Sequence, residues 1–300
     1  MNCGIVDLGS NTIRLSIFKC EGGEVSLLLH RKIMAGLASY VQSGMLTNSG
    51  VQVACRVLKV YRALLDNLGI EPMYVFATAS LRNIANTTEV VEAIRAETGL
   101  TVDLLSGEEE ARLSFDGALL GIQHTSGLLV DIGGGSTELV RYSDGEILSA
   151  CSLSVGSLNL FDRYVSWIHP TGTERKAIRS AVRTQLEHEK ADLHRAEHIC
   201  GVGGSVRAAC KAANRLFNRP ASCRVLSASE IKLLLKRFKN PDRTTLSELL
   251  KIAPDRVHTI IPGLLVLDTI CSACSAADVT ASACGVREGY LRTKILGEMQ

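Results

Sequence analysis

Hydrophobic and polar positions change period along this chain, and the changes outline its elements. Residues 2–8, 12–19 and 24–31 carry short β-like runs, joined through Gly9-Ser10 and Gly22-Gly23. Apolar spacing of three and four through Val53, Val57, Val60, Tyr61, Leu64 and Leu65 predicts a helix. It starts at Thr47-Asn48-Ser49, which can cap it, and ends near Leu68. A strand at 73–77, a helix from Thr87 to Gly99, a strand at 102–105 and a helix from Ser106 to about Leu120 follow. The pattern then starts again. Residues 128–132 and 139–142 are β-like, with a third strand to 152. A helix begins near Asn159, and a charged amphipathic helix covers 171–190. A strand at 197–201 enters a Gly-rich turn. Helices at 228–238, 245–252 and 255–276, a short strand at 279–281 and a last helix opened by Gly285 and reaching about 297 complete the chain. Strands interleaved with helices indicate an α/β protein. Residues 32–47 show no clear period, and the small residues of 35–40 read as a loop.

One stretch organises the rest: Leu128-Leu-Val-Asp-Ile-Gly-Gly-Gly-Ser-Thr-Glu-Leu-Val140. An apolar strand ends in Asp131, then come Gly133, Gly134, Gly135 and Ser136, then Glu138 on a second strand. Glycines let a backbone approach a ligand closely and turn N–H groups toward an anion. Carboxylates beside that anion make sense when a cation such as Mg²⁺ lies between them. An ordinary Gly-rich hairpin with charged ends is the plainer alternative. It weakens because Val6-Asp-Leu-Gly-Ser-Asn-Thr12 has the same grammar 124 positions earlier, with Asp7 ending a strand and Gly9, Ser10 and Asn11 in the turn. A third Gly-rich turn, Gly201-Val-Gly-Gly-Ser205, joins a strand to a helix, where N–H groups also collect anions. The paired Asp-Gly hairpins resemble the two phosphate loops of the acetate and sugar kinase/Hsp70/actin superfamily.

Other residues carry chemistry with competing plain explanations. Arg82 follows the small, hydroxylated Thr78-Ala-Ser80 and can grip a phosphate bidentately, or stand in a helix first turn. Glu108, Glu109 and Glu110 sit where a helix dipole favours acids, so composition alone leaves all three open to a catalytic role, with Arg112 able to hold one of them. Cys271-x-x-Cys274 has no second pair at zinc spacing, and a structural reading is favoured.

Bulk properties exclude several classes. Charged residues are 21% and hydrophobic ones 46%, as in globular proteins, and 300 residues suffice for two domains. No apolar run approaches the roughly 20 residues that span a bilayer. No basic, apolar leader precedes Asp7, so a cytoplasmic location is expected, with neither membrane nor nucleic acid as partner. The net charge of +2 hides an asymmetry: residues 171–260 carry 18 Lys and Arg against nine Asp and Glu. A basic region of this kind either attracts a polyanion or is a solvated helical surface.

Six ordered motifs together make the chain resemble the exopolyphosphatase/guanosine pentaphosphate phosphohydrolase (Ppx/GppA) family over almost its full length. They are Val6–Asn11, Ala77–Arg82, Ser106–Leu113, Val130–Glu138, Gly201–Ser205 and Gly285-Val-Arg-Glu-Gly289. The resemblance implies two ribonuclease H-like (actin-like ATPase) domains, mixed sheets flanked by helices, with the active site in the cleft between them. The domains are expected at 1–124 and 125–284, with the C-terminal helix of 285–300 packing back on the first. It implies Mg²⁺-dependent hydrolysis, with Mn²⁺ an alternative. Glu110, immediately before Ala-Arg, would be the general base. Asp131 and Glu138 would be metal-associated, with Asp7 grouped with them. Gly133, Gly134, Gly135, Ser136, Gly203, Gly204 and Ser205 would bind phosphate, joined by Ser10, Asn11 and Arg82. The stretch 35–44 lacks the Arg-Leu-Gly-Glu-Gly type of sequence often found there, and Val202 stands where Thr is common.

The expected substrate is inorganic polyphosphate, with guanosine pentaphosphate the alternative and a homodimer an expected assembly. A non-catalytic polyphosphate or nucleotide sensor is the alternative of another class, and it has no need of a base at Glu110. A sugar or acetate kinase would use an acceptor pocket and an ADP site, and neither the Glu110 motif nor Gly285–Gly289 belongs to that reading.

Overall fold

The structure, a computed structural model, describes residues 1–22, 24–122, 124–194, 196–240 and 242–297, with the Leu120 side chain also outside the description. The turn expected at Gly22-Gly23 and the last residues of the expected 285–300 helix therefore fall partly outside it. The chain divides into two compact units at Gly107/Glu108.

In the first unit, β1 (Asn2–Leu8) is buried along six of its seven residues, as a central strand should be. It pairs antiparallel with β2 (Thr12–Glu21), which pairs antiparallel with β3 (Glu24–Met34). The segment without clear period forms a 3₁₀ turn at Leu37–Tyr40 and a two-residue hairpin, β4 (Val41–Gln42) and β5 (Met45–Leu46). α1 (Asn48–Asn67) follows, with the Thr47 hydroxyl accepting from the Gly50 N–H at 3.3 Å. Then come β6 (Met73–Ala77), the single turn α2 (Ala79–Arg82), α3 (Thr87–Thr98) and β7 (Val102–Leu104). β1, β6 and β7 run parallel, so the sheet order is β3-β2-β1-β6-β7.

The second unit opens with α4 (Gly107–Ala118) and repeats that sheet. β8 (Ser126–Ile132), β9 (Thr137–Ser143) and β10 (Glu146–Leu153) form the antiparallel meander. α5 (Ser157–Tyr164) and α6 (Gly172–His188) lead to β11 (His198–Val202), parallel to β8, and on to α7 (Gly203–Leu216). β12 (Val225–Ser227), α8 (Ala228–Arg237), α9 (Arg243–Ile252), α10 (Ile260–Cys274), β13 (Asp278–Ala281) and α11 (Val286–Tyr290) complete it. The order β10-β9-β8-β11-β13-β12 matches the first sheet strand for strand, with β12 added antiparallel at the edge. This shared order, meander then two parallel strands, is the ribonuclease H-like arrangement that the motifs implied.

Three details depart from the pattern reading. The helix expected over 255–276 is broken into a 3₁₀ turn, Pro254–Arg256, and α10. Pro262 explains the break, because its ring tolerates only the first turn of a helix. α10 is buried at 13 of its 15 positions, which makes it the central helix of this unit. Its one acid, Asp268, is paired with Arg179 of α6. Cys271 and Cys274 are buried on it, and the Cys274 thiol donates to the Ile270 carbonyl, as core residues would. The unit boundary also falls earlier than 124/125. Ala111, Phe115 and Ala118 of α4 join one apolar cluster with Leu129, Val140, Tyr142 and Val202 of the second sheet.

The C-terminal segment belongs to the same unit, and glycines explain how. A Cβ on Gly289 would sit 1.8 Å from the Leu113 carbonyl oxygen, and one on Gly117 would sit 2.0 Å from that of Gly285. α4 and α11 therefore cross backbone to backbone. The Thr293 hydroxyl donates to Asp116 at 3.1 Å and Lys294 pairs with Glu109 at 3.3 Å along the same contact. Replacing Gly289 by Ala forces these helices apart and should lower stability by about 1–3 kcal/mol, the usual cost of overpacking. A denaturant titration should show a lower midpoint at unchanged slope, and an unmoved midpoint would mean that the crossing is not tight.

Candidate functional site

The central hairpin places its acids by strand register. Asp131 of β8 and Glu138 of β9 are direct cross-strand partners, so their side chains share one face. Like charges at such a position oppose folding unless something compensates them. Glu110 of α4 adds a third acid: it is buried, 8% exposed, and its charge acts on Glu138. Glu138 is 1% exposed. Burial holds its carboxyl well above the usual range, the charges of Glu110 and Asp131 push the same way, and hydrogen bonds from Ser136 and Ser152 oppose them. The Ser152 hydroxyl donates to Glu138 Oε1 at 2.8 Å, and the Ser114 hydroxyl of α4 donates to Asp131 Oδ2 at 2.7 Å.

The three glutamates that composition left open are separated by their surroundings. Glu108 is exposed and held by Arg112 at 2.9 Å, the i,i+4 partner. Glu109 pairs with Lys294. Only Glu110 of the three turns into the acid cluster.

The loop between Asp131 and Glu138 is held by its carbonyls. Gly133 O accepts from the Ser157 N–H at 2.9 Å, Gly134 O from the Leu158 N–H at 2.9 Å and the Asn159 N–H at 3.0 Å, and Gly135 O from Asn159 Nδ2 at 2.7 Å. In a trans peptide the C=O and the following N–H point opposite ways. The N–H groups of Gly134, Gly135 and Ser136 therefore point away from α5, side by side, the arrangement of an anion-binding nest. Ser136 is 3% exposed and gives its hydroxyl to Glu138, so its contribution to an anion is its backbone N–H.

Next to this loop, β11 ends in the third Gly-rich turn. Gly203 has φ +92°, a conformation that favours glycine, and a Cβ there would meet Asp131 Oδ1 at 2.8 Å. Gly203, Gly204 and Ser205 form the first turn of α7, whose leading N–H groups lack helical acceptors. The Ser205 hydroxyl is buried against Gly263 and, among the described residues, makes no hydrogen bond. The Arg256 guanidinium lies over Gly204, where a Cβ would be 2.2 Å from Nη2. Two anion-binding turns, three acids and an arginine thus converge within the second unit.

In the first unit, the corresponding loop has a different charge plan. Asp7, 6% exposed, stands opposite Arg14 in register and pairs with it at 3.6 Å. The Ser10 carbonyl accepts from Ala38 N–H, and the Asn11 carbonyl accepts from the N–H groups of Ala35 and Gly36. The Asn11 N–H accordingly faces away from that segment. Arg82 Nη1 donates to the Leu105 carbonyl at 3.0 Å.

Ser114, Ser152, Asn159 and Arg256 were not singled out from the sequence. Ser157-Leu-Asn159 has the form of a helix start, but its use of the loop carbonyls needs the third dimension. A further group, His124, His198 and Asp278, brings ligand atoms within 4.8 Å of one another at the other end of β11. Its histidine rings stack in near-parallel planes, 6° apart, so their in-plane lone pairs do not converge on one ion.

Two repeated ribonuclease H-like units, with Gly-rich turns set beside buried carboxylates, define the class to which the chain belongs. The chain belongs to the Ppx/GppA phosphatase family, whose model matches residues 16–298. It is 27% identical to Exopolyphosphatase 1 of Mycobacterium tuberculosis over 99% of this chain and 89% of that one. Its structure is similar to that of the Aquifex aeolicus member of the Ppx/GppA family, with a TM-score of 0.81 at 26% identity, covering 100% of this chain and 99% of the other. The fold is also that of an exopolyphosphatase from Cytophaga hutchinsonii, with a TM-score of 0.88 at 24% identity, covering 99% and 98%. Among the described residues no helix is long and apolar enough to cross a membrane.

Glu138 makes a pH prediction. Unfolded, it releases its proton near the ordinary value of about 4.3; folded, it does so well above. The folded state holds the extra proton in that window, so stability falls as pH rises through it. In a chelator, the unfolding midpoint of the wild type should decline relative to that of Glu138→Gln as pH rises above the ordinary carboxylate range. Parallel curves would show that the acid cluster does not raise Glu138.

Proposed function

We propose that this chain is an exopolyphosphatase that uses a divalent cation to hydrolyse the terminal phosphoanhydride bond of inorganic polyphosphate. The observation that carries this reading is the burial of Glu110 beside Asp131 and Glu138, while its neighbours Glu108 and Glu109 are neutralised elsewhere. A protein that only binds phosphate gains nothing from burying a third acid beside two others. The polyphosphate assignment is supported by relatives named exopolyphosphatase. Ppx/GppA phosphatases are generally dependent on a divalent metal.

The donor set fits such an ion. Asp131 and Glu138 offer hard carboxylate oxygens, the ligands Mg²⁺ takes, and a buried acid of raised pKa is the group a cation would most relieve. Mg²⁺ or Mn²⁺ held there would offset negative charge on the phosphoryl group. Asp7 is the weaker ligand, because Arg14 already balances it. The N–H groups of Gly134, Gly135 and Ser136 would hold the terminal phosphate oxygens, with Gly133 shaping the turn. Gly203, Gly204 and Ser205 would take the following phosphates. In the first unit, the Ser10–Asn11 loop and Arg82 are proposed as further phosphate donors.

Glu110 would orient a water and take its proton as the water oxygen attacks the terminal phosphorus in line. The bridging P–O bond breaks, its electrons remain on the shortened chain, and orthophosphate leaves. Ser114 orients Asp131, and Ser152 orients Glu138. The same geometry would serve the terminal phosphate of guanosine pentaphosphate, the second substrate in the family's compass.

Glu110→Gln should lower turnover of polyphosphate by roughly 10²–10⁴-fold, the usual worth of a general base, with little change in polyphosphate binding. Turnover like that of the wild type would remove Glu110 from the mechanism. Asp131→Asn should raise the Mg²⁺ concentration needed for half-maximal rate, and an unchanged Mg²⁺ response would exclude Asp131 as a ligand. Running both variants on guanosine pentaphosphate beside polyphosphate ranks the two substrates.

A further inference from the structure

We propose that the second unit carries a separate pocket for a chain of linked phosphates, along the flank of α7 beyond the first turn that borders the proposed hydrolytic cluster. The pocket has a volume of about 450 Å³ and is lined by Arg207, Lys211 and Arg215 of α7 and by Arg219 and Arg224 of the loop that follows. Arg207, Lys211 and Arg215 recur at intervals of four, so they share one face of the helix. Among the described residues no acid lines the pocket. Lys211, Arg215 and Arg224 are exposed, and among the described residues they form no ion pair. Lys211, Arg215 and Arg224 crowd one concavity beside Arg207 and Arg219, and a multivalent anion is the natural counterweight to them.

A buried guanidinium edge gives an independent observation. Asn214, 6% exposed, lines the pocket and is fixed there by its Nδ2, which donates to the Cys223 carbonyl at 2.8 Å. Arg219 gives Nη1 to Glu230 at 3.1 Å and is left with buried Nε and Nη2 donors that meet no acceptor. Those two donors form one edge of the guanidinium, spaced to engage two oxygens of a single phosphate. Buried donors without acceptors are costly, and because Arg219 lines the pocket, a ligand there would bring within its reach the oxygens it lacks.

The distance along α7 separates this pocket from the proposed hydrolytic site. Arg207 lies one turn beyond Gly204, and Lys211, Asn214 and Arg215 lie roughly 10–17 Å along the helix from Gly204 at 1.5 Å per residue. The pocket contains none of the carboxylates that would hold a cation, so its ligand is held by charge and hydrogen bonds alone. It therefore binds without metal and stands whether or not the chain proves to hydrolyse polyphosphate. The ligand is either a segment of polyphosphate or the phosphates of a nucleotide, since both present the same oxygens.

The test is calorimetric titration of the whole protein in excess chelator, with tripolyphosphate, GDP and citrate as separate probes. One site for tripolyphosphate or GDP is expected, weakened at least tenfold in Arg215→Glu/Arg224→Glu and weakened less in the milder Lys211→Ala/Arg215→Ala. Circular dichroism establishes that both variants are folded, and hydrolysis of a short polyphosphate with Mg²⁺ should be unchanged in both. Tighter binding of tripolyphosphate than GDP assigns the pocket to a phosphate chain, and the reverse order assigns it to a nucleotide. Equal binding of citrate, no metal-free binding, or binding that the folded variants retain would each overturn the proposal.

Discussion

The constraint on which the site depends is the placing of two like charges opposite one another in a strand pair. Asp131 and Glu138 face each other across β8 and β9, and α4 lowers Glu110 onto them. The first unit shows the same hairpin without that conflict, because Arg14 occupies the register position facing Asp7. The two loops are alike in backbone and opposite in charge plan. In one the acid faces a cation; in the other three acids gather, and a divalent cation would offset their charge. Stability given up at such a place is characteristic of functional sites rather than of cores.

The surrounding packing serves that cluster. α4 supplies Glu110 and also Ser114, which donates to Asp131, so its position sets the geometry of two of the three acids. Its place is fixed from behind by the crossing with α11 through Gly117 and Gly289, and from the side by Phe115 against Tyr142 of the sheet. This gives the Gly285–Gly289 motif a physical role. It need not touch a substrate; it holds the helix that carries Glu110, the proposed base. α5 plays the matching part for the loop, its first N–H groups and Asn159 taking the carbonyls so that the opposite peptide edges present donors.

Much of this was legible in the sequence. The strand and helix periods recover the repeated sheet because its strands are separated by strong Gly punctuation and its helices are amphipathic. The motifs locate the loops at Gly133–Ser136 and Gly203–Ser205. What escaped depends on distance in space rather than along the chain. β12 is three residues long and exists only by pairing with β13. The α4 boundary hinges on Ala111, Phe115 and Ala118 facing the second sheet, which no local pattern reveals. Glu108, Glu109 and Glu110 are equivalent as a helix first turn, and only Arg112, Lys294 and the burial of Glu110 separate them. Arg256 was invisible because its partner, Gly204, lies 52 positions earlier.

The most direct test of the account is orthophosphate release by the unaltered protein from long-chain polyphosphate, measured with Mg²⁺ and again in excess chelator. The acid cluster predicts steady release that requires the metal and stops when it is removed. Release that continues at the same rate in chelator, or no release under either condition, would contradict the reading of Glu110, Asp131 and Glu138 as a cation-dependent hydrolytic centre.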